Sequence, residues 1–173
     1  LSGHAICAIL PAQSEADDVL IYSDESRQEV IERLQFLRQQ AGNKAAGKAN
    51  LCLADYIAPA SSGQQDWIGL FAVTAGLNIE SALAPLEAAH DDYRAILLKA
   101  LADRLAEACA EWLHEKVRTE VWAYAPKEVL KNEDLIKEEY TGIRPAPGYP
   151  ACPDHTEKTK IFELLKAQER AGM

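Results

Sequence analysis

The first third of the chain contains short hydrophobic runs that predict strands. Residues 4–10 (HAICAIL) form an apolar run bounded by Gly3 and Pro11, as expected of a buried strand. After the turn-rich stretch PAQSEADD, residues 19–22 (VLIY) form a second run of the same kind. These two segments are therefore predicted to be neighbouring elements of a sheet.

Two later runs predict a hairpin. Residues 51–59 (LCLADYIAP) and 66–73 (DWIGLFAV) are strand-like and are joined by SSGQQ, a loop length typical of hairpins. The preceding stretch, residues 41–50, has the composition of a loop, and residues 74–78 contain Gly76 and are predicted to turn the chain.

Helical spacing of hydrophobic positions appears first after Asp24, which is placed to cap a helix over residues 25–40. From Ser81 onward, with Pro85 in or near the first turns, the pattern is helical for about 40 residues. Its middle part carries an apolar stripe and is predicted to be the central packing helix. The members of that stripe are Leu97, Leu101, Leu105, Ala108 and Trp112.

Two shorter helices complete the prediction. One runs over residues 133–140, capped by Asn132 and followed by Gly142. The other runs over residues 155–170 and is preceded by Asp154 as its cap, which has capping-box spacing to Glu157. Because strands come first and helices later, the fold class is α+β rather than alternating βαβ units.

Composition narrows the class of protein. The 173 residues suit a single domain, and 48% hydrophobic with 26% charged residues is typical of a globular one. The net charge of −9, with basic side chains scattered among acidic ones, argues against nucleic acid as a partner. No apolar run approaches the roughly 20 residues that span a bilayer, so no membrane partner is expected.

The chain ends and the cysteines suggest a cellular context. The chain starts at Leu1, has its only methionine at Met173 and shows no leader-like segment, so we expect a piece of a longer protein. Four cysteines without a C-x-x-C pair indicate a reducing, cytoplasmic setting.

Residues 143–154 (IRPAPGYPACPD) carry the clearest candidate for ligand contact. Prolines fix this backbone, so it loses little entropy when it meets a ligand. Arg144 can fork onto a carboxylate, Gly148 permits close backbone approach, and Tyr149 offers an aromatic face and a hydroxyl. The alternative is a stiff connector whose arginine pairs with a neighbouring acid.

Acidic side chains could form an anionic wall for a cationic ligand such as a sulfonium, although from the residues alone the favoured interpretation is a solvated helical face, which is what most charged stripes are. They are Asp103, Glu107, Glu111, Glu138 and Glu139. Metal ligation has little support, because Cys152 with His155 and His90 with Asp91 and Asp92 are incomplete ligand sets. His114 likewise has no second histidine at i+4. The motifs G-x-S-x-G, G-x-G-x-x-G and the P-loop are all absent.

Four ordered blocks resemble one known family, the activation domain of cobalamin-dependent methionine synthase. The longest is GIRPAPGYPACPDHTEK at residues 142–158, and the others cover residues 51–59, 68–76 and 90–115. The resemblance implies a C-shaped α+β domain with a twisted antiparallel sheet. It also implies truncation at both ends, because the family's domain carries an upstream helical stretch and a downstream strand that contribute to the ligand site.

The resemblance further implies the function. The domain would bind S-adenosylmethionine and present its methyl group for the reductive methylation of cob(II)alamin. Cobalamin would be held mainly by another module of the same enzyme, zinc would occur only elsewhere in that enzyme, and the electron would come from flavodoxin or a flavoprotein reductase. By itself the piece would not be catalytic. A stand-alone ligand-binding protein and an independent methyltransferase are the alternatives.

The resemblance implies roles for the residues that match the family's binding residues. Arg144, Ala146, Glu107 and Glu138 would contact or lie near S-adenosylmethionine, with Ala146 acting through its backbone. Tyr149 would approach the face of the cobalamin, an arrangement suited to a flat aromatic ring. Asp103 would contact the cobalamin module when the modules dock.

Overall fold

The computed structural model describes residues 2–40 and 49–173. Within these residues a four-stranded sheet is formed by β1 (Ser2–Glu15), β2 (Asp18–Tyr22), β3 (Val30–Gln35) and β4 (Asp66–Leu77). The strand order is β3-β2-β1-β4, and β2 pairs antiparallel with both β1 and β3. The helices are α1 (Glu80–Ala88), α2 (Asp92–Lys116), α3 (Asn132–Ile136), α4 (Lys158–Leu165) and α5 (Ala167–Ala171).

The chain divides into two compact units. Unit 1 comprises Leu1–Cys7, Phe71–Gly142 and Lys166–Met173, and unit 2 comprises Ala8–Leu70 and Ile143–Leu165. The α+β class and the antiparallel sheet are thereby confirmed. The loop predicted for residues 41–50 lies mostly outside the described residues.

The first strand is longer than predicted and its buried part lies elsewhere. Pro11 does not end β1, because the β1–β2 ladder begins one residue later, at the pair Ala12↔Ile21. A proline there removes no bond from that ladder. The buried residues are 11–14, beyond the predicted run, and the tight turn that follows places Ala16 at φ 55°.

The helix predicted over residues 25–40 is wrong, since the chain forms β3 there. Asp24 does not cap a helix. Its carboxylate accepts a bond from the Ser26 N–H at 2.8 Å within the β2–β3 turn. Leu34 and Phe36, two residues apart, are the buried side chains. Their spacing is that of a strand, whereas the helical spacing of Val30, Ile31, Leu34 and Leu37 groups one buried position with three exposed ones.

The strand predicted at residues 51–59 is also wrong, and with it the hairpin. A 3-10 turn, Leu53–Tyr56, occupies its centre, because the Asp55 carboxylate accepts a bond from the Cys52 N–H at 3.0 Å. Arg38 holds that same carboxylate with two bonds of 2.7 and 2.8 Å. The strand predicted at 66–73 is confirmed as β4, which runs on to Leu77 through the predicted turn.

The long helical stretch is broken once, between α1 and α2. His90 adopts φ 53°, and Asp91 then caps α2 by accepting a bond from the Arg94 N–H at 3.1 Å. A π-helical turn, Val117–Val121, continues α2 without a gap.

The predicted central stripe of α2 is not the packed face. Leu101 and Trp112 are 51% and 54% exposed, and the rest of that stripe is exposed as well. The buried positions are Ala95, Ala102, Ala110, Leu113 and His114. Because alanines let a helix approach its neighbours closely, a face made mainly of small residues is the packed one here.

The later helices begin within three residues of the predicted positions, but each is shorter than predicted. The helix expected over 133–140 ends at Ile136, and its first residue is Asn132, preceded by Lys131 as the cap. The one expected over 155–170 is divided into α4 and α5 by Lys166, which has φ 50°. Asp154 bonds to Thr156 and not to the backbone of Glu157.

Candidate functional site

In unit 2, the proline-rich segment folds into a tight reverse turn. The Tyr149 N–H donates to the Ala146 carbonyl at 3.0 Å, and the Cys152 N–H donates to the Tyr149 carbonyl at 2.9 Å. A third bond of 2.8 Å joins the Gly148 N–H to the Cys152 carbonyl. These bonds and the prolines fix the backbone from Ala146 to Cys152, so the side chains on the turn are presented from a rigid frame.

Contacts with the rest of unit 2 hold this turn in place. The Leu53 N–H donates to the Ala151 carbonyl at 2.8 Å, and the Cys152 side chain is buried. Burial, with the nearby Cys52 as a second contribution, raises the pKa of the Cys152 thiol to about 11. Cys152 therefore remains a neutral thiol that packs like a small hydrophobe, and all four cysteines of the chain are free.

Gly148 is needed for both its conformation and its space. Its φ is 105°, a region that side-chain-bearing residues rarely adopt. A Cβ at this position would lie 2.8 Å from Cε1 of His155. The imidazole of His155 thus packs directly against the turn, which explains a histidine that the sequence left without a role.

The predicted site residues of this unit all belong to the turn and its entry. Tyr149 is 61% exposed, so its ring is presented to solvent while its main chain is held. Ala146 is exposed and Arg144 is half-buried. The arrangement brings a guanidinium, a free-standing aromatic ring and exposed backbone into one short segment, which is what recognition of a carboxylate and a flat ring system requires.

The other three predicted residues lie in unit 1. Asp103 and Glu107 are exposed on α2, four residues apart, and Glu107 pairs with Arg104 at 2.6 Å. Glu138 is exposed just after α3, with φ 56° and its N–H bonded to the Leu135 carbonyl at 3.0 Å. A left-handed residue directly past the last turn, with this bond, is a common way for a helix to end, so the end of α3 accounts for the conformation of Glu138.

Sequence reasoning missed a buried polar cluster in unit 1. Arg118, in the π-helical turn, is 1% exposed and donates from Nε to Oε1 of Glu128 at 2.5 Å. Its Nη1 lies 2.8 Å from Nδ1 of His114, and its guanidinium stacks on the Tyr140 ring at 4.7 Å. The sequence signal for this cluster is the i,i+4 spacing of His114 and Arg118, which places the two side chains on one face of a helix.

No grouping of three or more potential metal ligands occurs among residues 2–40 and 49–173. In the same described part of the chain, no helix is long and apolar enough to cross a membrane.

The fold and site describe an α+β domain that presents a rigid proline-rich turn carrying an arginine and an exposed tyrosine. The family model of the vitamin B12-dependent methionine synthase activation domain matches residues 1–173, so the chain belongs to that family.

One solved structure supports the assignment in detail. The chain is similar to the MetH reactivation domain in a crystal structure of that domain bound to AdoHcy, with 54% sequence identity and a TM-score of 0.91. The match covers 99% of this chain and 52% of that chain, so this chain spans about half the length of the solved one. The predicted family and fold are confirmed.

Proposed function

We propose that this chain binds S-adenosylmethionine and presents its methyl group for the reductive methylation of cob(II)alamin. The observation that carries the proposal is the 54% identity over 99% of the chain to a reactivation domain whose crystal structure is described as bound to AdoHcy. AdoHcy is what remains of S-adenosylmethionine when its methyl group leaves. One electron from a donor and the methyl cation from S-adenosylmethionine together convert the inactive cobalt centre to its methylated form.

The proposed roles follow the resemblance and agree with the exposure of each side chain. Arg144 would pair with the methionyl carboxylate, the Ala146 backbone would bond to the ligand, and Glu107 and Glu138 would face its positive charge. Tyr149 would lie against the cobalamin face, which its exposed ring allows.

The wider setting is part of the same proposal. This chain would be one domain of a cytoplasmic methionine synthase, a methyltransferase, and Asp103 would contact its cobalamin-binding module. Flavodoxin or a flavoprotein reductase would supply the electron, and zinc would belong to another part of the enzyme. The chemistry itself belongs to cobalamin and S-adenosylmethionine, and the chain supplies binding and orientation.

Calorimetric titration of S-adenosylhomocysteine into the full-length gene product tests the proposal. We expect wild type to bind, and Arg144→Lys to bind about tenfold or more weakly, because lysine cannot reproduce the two-point contact of a guanidinium with a carboxylate. The melting temperature should change little, and Arg170→Lys, at an exposed position in α5, is the matched control.

Two outcomes would contradict the account. Absence of binding by wild type would overturn the proposed function. Unchanged affinity in Arg144→Lys, with a lowered melting temperature, would make Arg144 a structural residue that ties the proline-rich turn to a neighbouring acid.

A further inference from the structure

The buried cluster around Arg118 is fully connected within unit 1. The Arg118 guanidinium bonds to Glu128 and His114 and stacks on Tyr140, and the His114 and Tyr140 rings meet edge to face at 4.8 Å. An arginine has no acceptor, so Nδ1 of His114 must accept the bond from Nη1, which places the proton of a neutral imidazole on Nε2.

This cluster fixes residues 140 and 141, just after Glu138. Glu128 accepts the Arg118 bond at Oε1 and, at Oε2, a bond of 3.1 Å from the Thr141 N–H. Two consecutive residues, Tyr140 by its ring and Thr141 by its main chain, are therefore fixed by the same ion pair. The Tyr124 hydroxyl adds a bond of 3.1 Å to the Thr141 carbonyl.

The other side of Glu138 is fixed by α3. The Glu138 N–H bonds to the Leu135 carbonyl and the Glu139 N–H to the Asp134 carbonyl, each at 3.0 Å. Glu138 thus occupies the left-handed position that closes α3, just before the segment that the cluster anchors through Tyr140 and Thr141.

A buried ion pair, as the anchor of this segment, indicates a role in positioning as well as in stability. A buried ion pair is often no more stabilising than well-packed hydrophobic residues of the same volume, because both charges lose their hydration. What it adds is direction, since its donors and acceptors specify where the Thr141 N–H and the Tyr140 ring lie. Arg118 itself sits in a π-helical turn, a distortion found frequently at functional sites.

We propose that Arg118 is a positioning residue for the S-adenosylmethionine site, acting through Glu128, Tyr140 and Thr141 to fix the segment that directly follows Glu138 and thereby the position of that glutamate. The inference rests on the proposed function, in which Glu138 faces the ligand. It assigns the cluster no contact with the ligand itself.

The test compares Arg118→Lys with Arg94→Lys, the same change at an exposed arginine on α2, in the full-length gene product. Lysine keeps a charge beside Glu128 but cannot also stack on Tyr140 and bond to His114. Hydrogen exchange of the amides of residues 138–142 should become faster in Arg118→Lys and stay unchanged in Arg94→Lys. Binding of S-adenosylhomocysteine should weaken roughly tenfold in the former only.

A double-mutant cycle separates positioning from general destabilisation. If Arg118 acts through Glu138, combining Arg118→Lys with Glu138→Gln should weaken binding little beyond Glu138→Gln alone. Independent effects would multiply instead, and that result would overturn the inference. Faster exchange with unchanged affinity would also overturn it.

Two further measures keep the test decisive. Should Arg118→Lys fail to fold, Tyr140→Leu removes the stacked ring while leaving the ion pair intact, and the same results are expected of it. If wild type does not bind the ligand at all, the proposed function fails, while the exchange comparison still decides whether Arg118 holds residues 138–142.

Discussion

At the scale of single residues, Tyr149 combines a fixed main chain with a free ring. Its N–H and carbonyl are both bonded within the turn, while 61% of the residue is exposed. Because the ring is exposed, it contributes little to the free energy of unfolding, and its face is available for a partner. This is the geometry that the proposed contact with cobalamin requires.

We therefore expect Tyr149→Ala and Tyr149→Phe to differ in reactivation but not in stability. The alanine variant loses the aromatic face and should slow methylation of cob(II)alamin from S-adenosylmethionine, whereas the phenylalanine variant keeps the face and most of the rate. Melting temperatures of both should stay near that of wild type. A large loss of thermal stability in Tyr149→Ala would instead identify a packing residue.

Gly148 gives a second prediction at this scale, with Gly63 as its matched control. Both have positive φ, but a Cβ at Gly63 would meet no atom within 4 Å, whereas at Gly148 it would collide with His155. Gly63→Ala should cost about 1 kcal/mol from its conformation alone. Gly148→Ala should cost about 2–4 kcal/mol, since overpacking adds to the strain.

Urea denaturation of the two variants measures this difference. Equal losses of stability in Gly148→Ala and Gly63→Ala would show that His155 moves away freely and that the turn is not held by that contact.

At the scale of elements, prediction succeeded where periodicity was unambiguous. Residues 19–22 and 66–73 are apolar runs between turn signals, and both are strands. The helix prediction for residues 30–35 failed because Val30, Ile31 and Leu34 have helical spacing. The pairing of β2 with β3 and the turn at Asp24 impose a strand there instead. Pairing partners distant in sequence are invisible to a local pattern.

The site was predictable in part for a similar reason. Arg144, Gly148 and Tyr149 stand together in one conspicuous segment, so local chemistry identified them. Arg118 lies at the end of the predicted helical stretch and Glu128 ten residues further on, beyond it, so no local pattern indicated that the two side chains pair. On α2, spacing correctly grouped residues onto one face but carried no information on which face would be buried.

The ion pair between Glu128 and the π-helical turn allows a prediction of pH dependence. Burial alone would raise the pKa of its carboxyl, but the Thr141 N–H and Arg118 together outweigh burial and hold that pKa below its usual value. A carboxyl with a depressed pKa stabilises the fold above the pKa of the unfolded chain, near 4.3. That contribution is lost as the pH falls through the pKa of the folded state.

Wild type should therefore be more stable than Glu128→Gln at pH 7, and the difference should shrink as the pH falls below about 4. Unfolding by urea at a series of pH values measures it, with Glu120→Gln, an exposed acid nearby, as the control. A difference that does not change with pH would show that the ionised form of Glu128 has no special role.

At the scale of the whole molecule, the family match extends over residues 1–173 and the chain corresponds to about half of the solved reactivation domain it resembles. Of the residues proposed for the ligand, Arg144 and Ala146 belong to unit 2, and Glu107 and Glu138 belong to unit 1.

The most direct test of this account follows the methyl group. The full-length gene product, loaded with cob(II)alamin, is supplied with S-adenosylmethionine labelled in its methyl group and with a low-potential electron donor. We predict that the label reaches cobalamin only when the electron donor is present, and that Arg144→Lys slows the transfer at limiting S-adenosylmethionine. Label transfer that needs no electron donor, or no label transfer at all, would contradict the central claim.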